Sequence, residues 1–137
     1  GDSPAMLRNN CGRGTAIWAA APIEAHNQGV QDKVFIACVK DLLEHRLSVV
    51  FEAPPAAEAI CFAQDDGILV SILTTQTILP PVTTGGLTVA VDLKGKSCAR
   101  VLHLPDKKEI PFTESAGKAQ FDIPPLDIFH MCKIVYK

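Results

Sequence analysis

The sequence predicts a mainly β fold: a two-sheet antiparallel β-sandwich of about eight strands, preceded by a β-hairpin and one α-helix. Three observations predict it. From Leu47 onward the apolar period changes from the 3.6 of a helix to the 2 of a strand. Short apolar runs then recur at near-regular spacing, with turn residues between them. No helical pattern separates those runs, which excludes a parallel α/β order for this part of the chain.

The elements follow in order. Ala5–Arg8 is a short strand, and Asn9–Gly14 is dense in residues that tolerate positive φ and reads as a turn. Thr15–Ala20 is nearly continuously apolar, the pattern of a strand buried on both faces, and Pro22 stops it. Trp18 therefore belongs to a buried strand. A helix covers Val30–His45. Its apolar stripe is Phe35, Cys38, Val39 and Leu42, widened by Val34 and Leu43, and Lys33, Ala37, Lys40, Asp41 and Glu44 form the wetter side. Asn27 or Asp32 suits its start, and His45-Arg46 suit the negative end of its dipole.

The strand Leu47–Glu52 ends at Pro54-Pro55. Ala59–Gln64 and Ile68–Thr74 flank Asp65-Asp66-Gly67, a D-G hairpin signal. The Thr- and Pro-rich stretch Thr75–Gly86 is a connection long enough to cross between sheets. Leu87–Leu93 and Cys98–Leu104 read as a pair around Lys94-Gly95-Lys96. Glu109–Phe112 and Ala119–Ile123 flank Glu114-Ser115-Ala116-Gly117, and Ile128–Tyr136 is the final strand. Phe51, Phe62, Phe112, Phe121 and Phe129 are the expected aromatic core. The hinge at Arg46-Leu47 divides the chain into a hairpin-plus-helix piece, 1–46, and a sandwich, 47–137.

With 137 residues, 47% of them apolar and 20% charged, the chain suits one domain with an appended fragment of another. A net charge of −2 with interspersed signs leaves no basic stripe for a phosphate backbone, which argues against nucleic acid as a partner. No apolar run approaches the roughly 20 residues that cross a bilayer, so no membrane partner is expected. The first residues lack the basic start and apolar core of a signal peptide. Five cysteines, scattered and without a CxxC pair, read as free small hydrophobes and favour a reducing, cytoplasmic setting.

Few residues carry chemistry. Glu24 and His26, with Asp32, cluster in the connection before the helix and are the candidate ligand-binding residues. His26 has no partner at metal-site spacing, so neither metal nor other cofactor is expected. His103 and His130 lie in separate strands and meet only if both face one sheet edge. Asp65-Asp66-Gly67 lacks the remaining ligands of a calcium loop, and Asn10–Gly14 lacks the lysine of a phosphate loop. Cys11 has no base beside it in sequence. No two carboxylates stand out as the pair that hydrolyses a glycoside. One Trp, one Tyr and six Phe are a thin supply for a sugar-stacking platform.

The run Asn10-Cys11-Gly12-Arg13-Gly14-Thr15-Ala16-Ile17-Trp18 through Ala21-Pro22-Ile23-Glu24, followed by an amphipathic helix, resembles the last hairpin and helix of a glutamine-amidotransferase-like domain. In that form it is the trimerisation domain of β-galactosidase-type glycoside hydrolases and their relatives. The ending Phe121-Asp122-Ile123-Pro124-Pro125-Leu126 through His130-Met131-Cys132-Lys133-Ile134-Val135-Tyr136 is similar to the small C-terminal β-sandwich that closes such proteins. The resemblance implies that the catalytic carboxylates lie upstream on a barrel, so no catalytic residue is assigned here. It implies a non-catalytic accessory C-terminal module of a multidomain glycoside hydrolase, with a structural or oligomerisation role. Its partners would be the preceding domains of the parent protein and further copies of itself. A carbohydrate-binding β-sandwich is the alternative, with carbohydrate as the partner.

Overall fold

The computed structural model of the chain describes residues 4–23, 30–43, 46–53, 56–77 and 80–137. Its backbone separates into two units, Gly1–Leu47 and Ser48–Lys137.

In the first unit, β1 (Met6–Cys11) and β2 (Gly14–Ala19) form an antiparallel hairpin, with pairs running from Met6↔Ala19 to Cys11↔Gly14. The turn is shorter than predicted. Asn9 and Asn10 pair with Ala16 and Thr15, which leaves only Gly12-Arg13 outside the ladder. Gly12 takes a φ of 59°, a conformation that a side chain disfavours. The helix α1 (Val30–Leu43) carries Phe35, Cys38, Val39 and Leu42 along a groove shared with Ile17 and Ala19 of β2. Arg8 Nε lies 3.5 Å from Asp41 Oδ2, an exposed pair that ties the hairpin to the helix.

Strand β2 is not buried on both faces, contrary to expectation. Thr15, Ile17 and Ala19 are half-buried, and Trp18 on the other face is 56% exposed. The cause is size. One hairpin and one helix make two small layers, and no described residue of this unit is buried.

The second unit is the sandwich. Its strands are β3 (Val49–Phe51), β4 (Ala57–Gln64), β5 (Gly67–Thr74), β6 (Leu87–Asp92), β7 (Cys98–Leu104), β8 (Lys108–Ile110), β9 (Phe112–Ser115), β10 (Lys118–Ile123) and β11 (Phe129–Tyr136). They form a four-stranded sheet, β3-β6-β10-β9, and a five-stranded sheet, β4-β5-β11-β7-β8, with every pairing antiparallel. Alternation within each strand delivers the core. Ile68, Val70, Ile72, Val101, Cys132 and Ile134 from the larger sheet pack with Val89, Val91, Phe121 and Ile123 from the smaller. Each fully buried Ile, Leu or Val side chain contributes about 1.5–3 kcal/mol of hydrophobic stabilisation before entropy is set against it. Leu93 and Leu126, both fully buried, close the core from the connections.

Several details depart from the sequence reading. Glu109–Phe112 is not one strand. Pro111, which has no N–H to give to a ladder, divides it into β8 in the larger sheet and β9 in the smaller. The sandwich thus has nine strands, β3 to β11, among the described residues. Strands β6 and β7 do not pair. The Lys94-Gly95 turn, with φ of 54° and 80°, sends the chain from one sheet to the other. Glu114 Oε2 on β9 accepts a hydrogen bond of 2.9 Å from the Cys98 backbone N–H on β7, which ties the two sheets at that corner. Of the expected aromatic core only Phe121 is fully enclosed. Phe51 and Phe112 pack at its margin, and Phe62 and Phe129 point outward.

The Asp65-Asp66-Gly67 hairpin forms, but Gly67 is not its turn residue. Gln64 pairs with Gly67, so the turn is Asp65-Asp66, and Gly67 begins β5 opposite Val135. A glycine is needed there for space: a Cβ on Gly67 would sit 2.0 Å from the carbonyl oxygen of Ile134. Gly67→Ala is therefore expected to destabilise the fold by about 2 kcal/mol or more, since the obstacle is backbone that cannot swing aside. Urea unfolding of the two proteins checks this, and an unchanged midpoint would contradict it.

No helix among the described residues is long and apolar enough to cross a membrane.

Candidate functional site

The polar constellation of the sandwich is built from the inner faces of two adjacent strands. On β7, Val101 is buried and His103 follows in the same phase of the alternation; on β11, His130 precedes buried Cys132 in the same way. Cys132 pairs with His103, so the register places the two imidazoles diagonally across the β7–β11 ladder on the core side. Their ring centroids are 5.1 Å apart, and His103 Nε2 lies 2.9 Å from His130 Nδ1. At the outer ends, His103 Nδ1 is 3.4 Å from Asp106 Oδ1, and His130 Nε2 is 3.1 Å from the carbonyl oxygen of Pro125.

The proton positions follow from what each partner can do. A carbonyl oxygen only accepts, so His130 Nε2–H donates to Pro125. In the neutral ring His130 Nδ1 then accepts, and His103 Nε2–H donates to it. The other nitrogen of that ring, His103 Nδ1, faces the Asp106 carboxylate at 3.4 Å. All four ring nitrogens thus have partners within the protein. With those partners the arrangement works as a clasp. It secures Pro124–Ile128, the link between β10 of one sheet and β11 of the other. The same link is held by Thr84 N–H donating to the Leu126 carbonyl at 3.0 Å, Thr74 N–H donating to the Ile128 carbonyl at 2.9 Å, and a short Thr83–Asp127 side-chain bond.

Beside the clasp lies an open cleft of about 530 Å³, lined by His103, Asp106, Lys108, Glu109, Asp122 and Pro124 among others. No Trp, Tyr or Phe lines it, so a sugar ring would find no stacking surface there. No group of three His, Cys, Asp or Glu among the described residues is placed to hold a metal ion.

The expected ligand residues Glu24 and His26 lie outside the described residues. Asp32 is half-buried in the first turn of α1. Cys11 is exposed, Cys38 and Cys61 are half-buried, and Cys98 and Cys132 are buried, all as free thiols. Burial pushes the Cys132 thiol up to about 11, and burial followed by the charge of Glu114 raises Cys98. Buried thiols of raised pKa are poor nucleophiles. The histidine pair was the part of the site that sequence reasoning left unassembled. The usable signal was that each histidine continues the buried phase of its strand.

Two outcomes are expected. A double-mutant cycle on His103→Ala and His130→Ala, followed by urea unfolding at neutral pH, should give a coupling of about 1 kcal/mol or more, because either single change strands a half-buried ring. Additive losses would contradict the bond. For Cys132 the folded pKa lies above the ordinary 9.0, so its contribution is whole below pH 9.0 and is lost as pH rises toward about 11. Unfolding free energy should fall across that window, and less steeply in Cys132→Ala.

No family model matches the sequence, and no curated protein matches it. Among solved structures the chain is similar to α-L-fucosidase isoenzyme 2 from Paenibacillus thiaminolyticus, with a TM-score of 0.81 at 18% identity. The match covers 98% of this chain and 22% of the fucosidase chain. This chain thus spans about a fifth of the length of that glycoside hydrolase.

Proposed function

We propose that the chain is a non-catalytic accessory module of a multidomain glycoside hydrolase, with a structural role in holding that enzyme's domains or subunits together. The observation that carries this reading is the asymmetry of the structural likeness: nearly all of this chain corresponds to a small part of a fucosidase. Two features of the chain support it. The histidines that lie next to the cleft are spent on internal bonds. The hairpin and helix of Gly1–Leu47 present an apolar groove and exposed Trp18, Phe35 and Ile36, surfaces that suit the edge of a larger domain. The resemblance of this stretch to the end of an amidotransferase-like trimerisation domain supports the same reading.

A carbohydrate-binding role is the weaker reading. The outward Phe62 and Phe129 lie two strands and four residues apart in register, roughly 17 Å by strand spacing and rise, too far to stack on one sugar.

The chain by itself is expected to release no nitrophenol from aryl α-L-fucosides or β-galactosides. The product of the full gene is expected to hydrolyse a glycoside, and to lose thermal stability or subunit association when these 137 residues are deleted. Turnover by the chain alone that co-elutes with it and disappears in Glu24→Gln would overturn the proposal.

A further inference from the structure

Strand alternation gives the sandwich two outer faces, and they differ in kind. On the four-stranded sheet the outward positions of β6 and β10 include Thr88, Asp92, Lys118, Gln120 and Asp122, and Thr88 Oγ1 donates to Asp122 Oδ1 at 2.6 Å. That face is mostly polar, with Val50 and Ala90 as its apolar members. On the five-stranded sheet the positions opposite the core residues include Ile60 and Phe62 of β4, Leu69 and Leu73 of β5, and Phe129 and Met131 of β11, with Glu58, Gln64 and Ser71 as polar members of the same strands. Register places them together: Ile60 and Met131 both flank Ser71, Phe62 flanks Leu69, and Phe129 flanks Leu73. Ile60, Phe62 and Phe129 are 45%, 53% and 51% exposed. Lys133 stands among them, but its ammonium is drawn to the rim by Asp66 Oδ2 at 2.7 Å.

Antiparallel sheets with one buried face ordinarily turn a polar face outward, as the smaller sheet does. An apolar outer face on the larger sheet marks an interface. We propose that this face is where the module docks against another domain of the same, longer polypeptide, meeting an apolar surface there. The inference rests on the accessory-module reading above. Its occupant is argued from length: the chain corresponds to 22% of the fucosidase, so most of such an enzyme lies outside the matched region. A covalently joined domain is held at high effective concentration, so the face needs no polar rescue for a free state.

Hydroxyl-radical footprinting of the chain and of the full gene product tests this. Labelling of Phe62, Phe129 and Met131 is expected to fall several-fold in the full product, while Val50, outward on the smaller sheet, keeps its rate. Phe62→Asp is expected to speed proteolytic release of the module from the full product, without changing the melting temperature of the isolated chain. Equal labelling in a multidomain, active full product would overturn the docking surface and leave the accessory reading standing. A gene encoding no further domain would overturn both. Protection already present in the isolated chain, together with a dimer mass in light scattering, would assign the face to a second copy and overturn the occupant proposed here.

Discussion

The pairing of β5 with β11 is the constraint from which the other features of the sandwich follow. These strands occupy inner positions of the larger sheet, and their inward side chains, Val70, Ile72, Cys132 and Ile134, are fully enclosed. Strand side chains alternate with a period of two. A slip of one residue would therefore turn Lys133 and Met131 into the core and Cys132 and Ile134 outward. The close passage of Gly67 past the Ile134 carbonyl allows only a glycine at the first position of β5, which reinforces the register. Once β11 is placed, β7 pairs along its other side, and His103 and His130 arrive on the same inner face.

The same alternation sets what the sandwich presents on its outside. Each inward residue of the larger sheet implies an outward neighbour, and on β4, β5 and β11 those neighbours are largely apolar. The polar outer face of the smaller sheet rules out a general surplus of hydrophobic residues as the cause. The partly exposed polar groups at the edges of the sandwich are used differently. They tie crossings between the sheets, as Glu114 does at the β6–β7 corner and the histidine pair does at the β10–β11 link. These bonds serve assembly of the fold.

Much of this was legible in the sequence, and the misses share a cause. Period and turn chemistry located most of the strands and the helix, because those signals are local. Sheet membership is not local. Lys94-Gly95 has the chemistry of a hairpin turn, but β6 and β7 diverge after it because each has better partners in opposite sheets. Pro111 carried the signal for dividing Glu109–Phe112, since a proline in a short strand argues for a break. Phe62 and Phe129 were expected inside because aromatic residues usually are; only register with Leu69 and Leu73 places them outside. The histidine clasp depends on pairing between strands far apart in sequence, so no spacing rule could have found it. Glu24 and His26 lie outside the described residues, so the structure does not bear on them.

Ser48–Lys137 holds a buried core, whereas no described residue of Gly1–Leu47 is buried, and the proposed accessory role has that unit rely on surface supplied by a larger protein. Amide hydrogen exchange on the isolated chain under native conditions tests it most directly. Amides of β5, β6, β10 and β11 are expected to exchange only through global unfolding, and those of β1, β2 and α1 orders of magnitude faster. Equal protection of both units would contradict the account, because it would mean that the hairpin and helix need nothing beyond this chain.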